Sequence, residues 1–145
     1  MERRAMITIR GTQKAEHEAP QTLEFVTGGM LQRFGRKLRV SYEESDLTGT
    51  EGVTAAFEVD GDKVTLERTG KVQSKMVFVE GQKMESLYSM DVGALLLGIT
   101  ARKVKPALTD DGGSIFLEYG VELERTYLGF NTFDIQVKTM PEQDK

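Results

Sequence analysis

Residues 53–72 read VTAAFEVDGDKVTLERTGKV, and the way this stretch folds decides how the rest of the chain folds. Apolar side chains take every second position, Val53, Ala55, Phe57 and Val59, and the spacing resumes after the polar DGD with Val64 and Leu66. A period of two puts alternate side chains on opposite faces of an extended chain, so each run predicts a strand with one buried face. Asp60-Gly61 is a type I′ hairpin signal, because both central residues of that turn need positive φ. A two-residue loop there pairs Phe57 with Val64, Ala55 with Leu66 and Val53 with Arg68, and the apolar members share one face. The RTGKV that follows suits a three-residue loop, Thr69 to Lys71, with Gly70 in the positive φ of a bulge; Val72, Ser74, Met76 and Phe78 then stay on the same face.

The same alternation extends in both directions. LRVSYEE (38–44) carries Leu38, Val40 and Tyr42, SIFLEYGVEL (114–123) carries Ile115, Leu117, Tyr119, Val121 and Leu123, and FDIQV (133–137) carries Phe133, Ile135 and Val137. In MDVGALLLGITARKV (90–104), Asp91 would suit a helix cap, but Gly93, Gly98 and the β-branched Ile99 and Thr100 favour strand. EGQ (80–82) and DDGG (110–113) read as turns. The expectation is an all-β chain of roughly eight to ten strands in an antiparallel meander. It forms one domain over residues 1–145, with a core from about 5 to 139 and polar ends. Twist and unpaired edges favour closing such a sheet into a single barrel.

Composition narrows the function classes. The 145 residues contain no cysteine, which excludes thiol nucleophiles, zinc-thiolate sites and disulfides and suits a reducing compartment. MERRAMITIRGTQ lacks the apolar run of a secretory signal, and no stretch approaches the roughly 20 apolar residues of a membrane helix, so a cytoplasmic protein without membrane contact is expected. A net charge of −4 argues against nucleic acid as a partner, since phosphate binding needs a basic surface. The one basic run, RFGRKLR (33–39), reads as a solvated strand edge.

Two charges interrupt the inward face. Continuing past Tyr42 puts Glu44 inside and Glu43 outside, and continuing past Leu66 puts Arg68 inside. If residues 36–44 pair with 53–59, Glu44 stands opposite Val53 and at one level with Arg68, about 10 Å away across two strand spacings of about 4.8 Å. Long side chains close that distance, and an unpaired interior charge would cost several kcal/mol, so Glu44 and Arg68 should meet. Tyr42, Tyr88 and Tyr119 add hydroxyls on the same face. This cluster either plugs the barrel and fixes its register, or receives the anionic or polar head of a small ligand whose apolar part lies on Phe57, Phe78, Leu97 and Leu117.

Taken in order, YEE (42–44), DGD (60–62), RTG (68–70), MVF (76–78), Tyr88, Gly93, DDGGSIFLEY (110–119) and GFNTFDIQV (129–137) resemble the YwiB-like family of small bacterial proteins of unknown function. The resemblance spans about Ile7 to Val137 and rests on the spacing of short motifs. It implies a calycin-like, lipocalin-type meander barrel and, by analogy with such barrels, an internal pocket for a small apolar or amphipathic molecule; it transfers no activity. Tyr42, Glu44, Arg68, Gly70, Tyr88 and Tyr119 match the family pattern. ELERTYLG (122–129) departs from it, having no glycine in the turn near Arg125, which suggests a longer or differently bent loop.

Other chemistry is set aside. His17 is the only histidine, and the EHE around it (16–18) does not point its side chains one way, so neither metal nor haem is expected. Glu43 and Glu44 face opposite sides of a strand, ESDLTG (44–49) lacks calcium-loop spacing, and no glycine loop is built for phosphate. Met76, Met84 and Met90 read as core filler. The sequence thus points to a non-enzymatic binding protein without cofactor, holding a small apolar or anionic ligand through Arg68, Glu44, Tyr42, Tyr88 and Tyr119. The alternative is a filled-core module acting through protein contacts or as a homodimer.

Overall fold

Alternation in sequence becomes alternation in burial. From Leu38 to Tyr42 the inward residues Leu38, Val40 and Tyr42 are buried while Arg39 and Ser41 are only half-covered, and Val64 and Leu66 repeat the pattern. The computed structural model describes residues 1–15, 17–44 and 52–141. The elements are β1 (Glu2–Ala15), β2 (Gln21–Phe34), β3 (Lys37–Glu43), β4 (Val53–Asp60), β5 (Lys63–Gly70), β6 (Ser74–Phe78), β7 (Lys83–Met90), β8 (Gly93–Thr109), β9 (Gly112–Leu123) and β10 (Thr126–Thr139). Among the described residues there is no helix.

The strands form one antiparallel sheet in the order β6-β5-β4-β3-β2-β1-β10-β9-β8-β7. The ladder from Ala5↔Thr139 to Ala15↔Gly129 joins first strand to last. The two ends of the order are β6 and β7, neighbours in the chain, which meet through the single bridge Gln73↔Ser89. The result is the expected meander barrel, with ten strands against the roughly eight to ten expected, closed except along the β6–β7 seam. Its middle is filled: Ile7, Leu31, Phe57, Leu66, Phe78, Ile115, Leu117 and Ile135 are fully buried. Each such side chain contributes about 1.5–3 kcal/mol by leaving water.

Several local expectations need correction. The β4–β5 loop is Gly61-Asp62, with Asp60 paired to Lys63, so the register is shifted by two residues: Phe57 faces Leu66 and Ala55 faces Arg68. Gly61 has φ 63 and Asp62 is not in the left-handed region, which is the type II′ pattern of one positive φ rather than the type I′ pattern of two. A shift of two preserves parity, so every side chain keeps its predicted face. The β5–β6 connection moves likewise, with Arg68 opposite Ser74. Gly70 does have positive φ (110), but its reason is contact: a Cβ there would stand 2.2 Å from the carbonyl oxygen of Gly52.

RFGRKLR does not lie on an edge. β3 runs between β2 and β4, Arg36 sits in a turn, and the charges meet acids outside the barrel: Arg33–Asp110 at 2.5 Å, Arg36–Asp60 at 2.7 Å and Arg39–Glu67 at 3.8 Å. The turn at Glu124-Arg125 is no longer than a two-residue hairpin, since Leu123 pairs with Thr126. Both residues adopt left-handed φ, 49 and 67, despite carrying side chains. Glu124 offsets that strain by donating its N–H to the Leu96 carbonyl at 2.8 Å and accepting the Leu96 N–H on its carboxylate at 2.7 Å. Of the three methionines expected inside, only Met76 is buried; Met84 and Met90 lie on β7 beside the seam and are exposed.

Candidate functional site

A cavity of about 580 Å³ opens at the end of the barrel where the β1–β2 hairpin projects. Ile9, Leu23, Phe25 and Phe133 form its apolar side; Thr12, Gln13, Gln21, Thr22, Asn131 and Thr132 form a neutral polar rim; Tyr42, Glu44, Arg68 and Tyr88 complete it. The glycine that makes room is Gly11, which stands in the sheet between Leu23 and Phe133. Its missing side chain keeps the wall thin, for a Cβ would already touch the Phe133 ring at 3.4 Å.

Arg68 and Glu44 meet, with Arg68 Nε donating to Glu44 Oε1 at 2.8 Å. They do not stand at one level. Arg68 is level with Ala55 and Tyr42, while Glu44 lies one inward position nearer the mouth, where its N–H bonds the Val53 carbonyl at 2.8 Å. The guanidinium therefore reaches diagonally. The side chains are 20% and 6% exposed, so this is an interior pair at the cavity wall and not a surface contact. Burial alone would lower the arginine pKa; the charge and hydrogen bond of Glu44, helped by Tyr42 and Tyr88, outweigh it and raise it, so Arg68 stays charged. Burial, then the Glu44 charge, push the Tyr42 phenol well above its usual value against the pull of Arg68. A phenol held protonated is a hydrogen-bond donor, not a base. The Arg68 terminal amino groups have no hydrogen bond among the described residues.

Tyr119 is the one predicted site residue that does not border the cavity. It is 2% exposed, with its ring 4.9 Å from that of Phe78 and 6.1 Å from that of Phe133. Burial raises its pKa to about 12 even though the neighbouring Asn131 side chain and the Arg68 charge act the other way. Tyr119 thus stands beside Asn131 on the next strand and packs against Phe133. The expected apolar wall also moves. Phe57, Phe78 and Leu117 are fully buried in the core, and Phe25, Phe133, Ile9 and Leu23 take their place. Successive rings pack from Phe25 through Tyr42 (6.3 Å) and Phe57 (6.5 Å) to Phe133 (5.9 Å), which makes the cavity floor continuous with the core.

Glu43 is exposed and Glu44 buried, as alternation required. His17 sits in the exposed β1–β2 turn with φ 65. Glu16 and residues 45–51, including most of ESDLTG, lie outside the described residues. Among the described residues no group of three or more His, Asp or Glu side chains is placed to hold a metal, and no helix is long and apolar enough to cross a membrane.

Fold and site together define a nearly closed meander barrel with a polar mouth and a filled middle. The chain belongs to the family described as "Domain of unknown function (DUF1934)", whose model matches residues 7–135. Among solved structures it is similar to the ywiB protein from Bacillus subtilis at 20% identity and a TM-score of 0.79, with 97% of this chain and 94% of that one covered. At that identity the likeness is one of fold, and it agrees with the YwiB-like resemblance in the sequence. No curated protein matches the chain.

Proposed function

We propose that this protein binds a small amphipathic molecule in the mouth of its barrel without chemically converting it. The observation that carries this reading is the Arg68–Glu44 pair at the wall of a cavity of about 580 Å³ with an aromatic floor. Pockets of about 300–1,000 Å³ with apolar walls and a few convergent polar groups are the usual form of small-molecule sites. Arg68, Tyr42 and Tyr88 would take the polar head, and Phe25, Phe133 and Ile9 the apolar part. A calycin-like role and a cytoplasmic setting, the latter suggested by the absence of cysteine, fit this reading.

Native mass spectrometry of the gently purified protein tests it, together with thermal shift against small organic acids, isoprenoids and fatty acids. Expected is a co-purifying molecule, or a stabilisation that Arg68→Met abolishes; an empty protein that no panel member stabilises would refute it.

Self-association through the open edge is the weaker reading. Val104 N–H points out of the sheet there and is capped by the Glu80 carboxylate at 3.1 Å. Pro106, two residues on, turns its nitrogen to the same side and offers no donor, and Lys105 pairs with Glu80 at 3.3 Å. Proline, charge and a capped N–H are features that discourage strand-to-strand docking.

A further inference from the structure

Resting on the binding reading above, we infer that the ligand of the barrel mouth is a compact, ring-bearing monocarboxylate, rather than a phosphate ester or a long-chain acid. Three observations converge. The first is the floor. Directly beneath Phe25 and Phe133 the barrel is packed with fully buried side chains, Phe57, Leu117 and Ile135 among them, so an extended alkyl chain has no channel down the axis. The apolar part of the ligand has to be short and broad.

The second is the shape of the apolar surface. Phe25 and Tyr42 meet edge to face, with centroids 6.3 Å apart at 63°, and Phe133 meets Phe57 at 77°. Mixed ring faces and edges suit an aromatic guest, whose own face and edge carry opposite partial charges. The third is charge. Glu44 occupies Arg68 Nε, and among the described residues the two terminal amino groups carry no hydrogen bond, so they offer a fork for a two-oxygen anion. Because the pair is neutral overall, a singly charged carboxylate gains this fork at small cost, while a phosphate monoester near −2 would be repelled by Glu44. Gln13, Gln21 and Asn131 are left to hydrogen-bond ring substituents at the rim.

Isothermal titration calorimetry of the full chain at pH 7 separates the ligand class from the site. The probes are 2-naphthoate, 2-naphthyl phosphate and undecanoate, the last kept below its micelle concentration. Naphthoate is expected to bind at least tenfold more tightly than either of the others. Gly11→Leu, which fills the cavity without touching the charges, should weaken naphthoate at least tenfold. The neutral pair Arg68→Met with Glu44→Gln should abolish the preference for naphthoate over uncharged 2-naphthamide, and it carries the test alone if Gly11→Leu does not fold. Tighter binding of the phosphate or of undecanoate, lost in Gly11→Leu, overturns the ligand class and keeps the site. Naphthoate binding that neither variant changes overturns the inference. No binding of any probe overturns both readings.

Discussion

Replacing Arg68 by methionine removes the charged partner that meets Glu44 at the cavity wall while keeping most of the side-chain volume, so the loss of stability reports the buried pair. Glu44 is 6% exposed and Arg68 20%, which leaves little solvent to screen a carboxylate that has lost its guanidinium. Breaking a buried pair from one side costs about 3–5 kcal/mol, and the opening of the cavity beside Glu44 places the expectation at about 3 kcal/mol. For a domain of this size that corresponds to a fall in Tm of roughly 10 °C. Urea unfolding at pH 7 measures it, and the m-value should stay unchanged, since the amount of surface exposed on unfolding is the same. Glu44→Gln in the Arg68→Met background should restore most of the loss, because the buried negative charge has then gone. The reasoning fails if Arg68→Met shifts stability by no more than about 0.5 kcal/mol, as a surface substitution would, or if the double variant is no more stable than Arg68→Met alone.

Tyr119 has a pKa of about 12 in the folded chain against 10.0 for a free phenol, and burial raises that of Tyr42 as well. Raised phenol values mean the folded state holds its protons longer, so this contribution is complete below pH 10 and is lost as pH climbs toward 12, at about 1.4 kcal/mol per pH unit for each phenol; ionisation of these two tyrosines near pH 10 in the folded protein, followed by absorbance at 295 nm, would contradict it. Gly70→Ala should destabilise by more than about 1 kcal/mol, because φ 110 and the Gly52 carbonyl 2.2 Å away leave no place for a Cβ; thermal unfolding checks it, and an unchanged Tm would count against the β5 register. Arg125→Gly should stabilise by about 0.5 kcal/mol, relieving the left-handed φ of 67 at the loss of only a weak exposed pair with Glu85 at 3.9 Å; a fall in stability would mean that this pair matters more than the backbone.

Which face each residue takes was legible in the sequence, because a strand has a period of two and the inward side must be apolar. Register was less legible. DGD offers both Asp60-Gly61 and Gly61-Asp62 as a turn, and a shift of two residues leaves every inward position inward. That tolerance is why the Glu44–Arg68 contact could be foreseen from a register that was displaced; the long guanidinium spans the diagonal as readily as the straight path.

The cavity wall was harder to read. TLEFV (22–26) alternates only as far as Phe25 before Val26 breaks the pattern, because β1 and β2 extend past the core and carry apolar groups on both sides, with Leu23 and Val26 exposed at 48% and 59%. Phe25 and the rim amides were therefore missed. Alternation marks Phe133 only as an inward strand residue, and nothing in its pattern shows that Gly11 opposite it opens space. Alternation gives Tyr119 its face but not its covering: it lies opposite Asn131 on the neighbouring strand, yet its ring is packed against Phe78 and Phe133 and does not line the cavity. The turn at Glu124-Arg125 defeated turn chemistry because its support comes from Leu96 on another strand.

A crystal structure of the protein grown with 2-naphthoate measures most directly whether the mouth is a binding site built around the buried pair. Expected is a carboxylate about 3 Å from the terminal nitrogens of Arg68, the ring system against Phe25 and Phe133, and Glu44 still on Nε. A well-ordered crystal with the mouth unoccupied at saturating naphthoate, and Arg68 turned out to solvent away from Glu44, would contradict it.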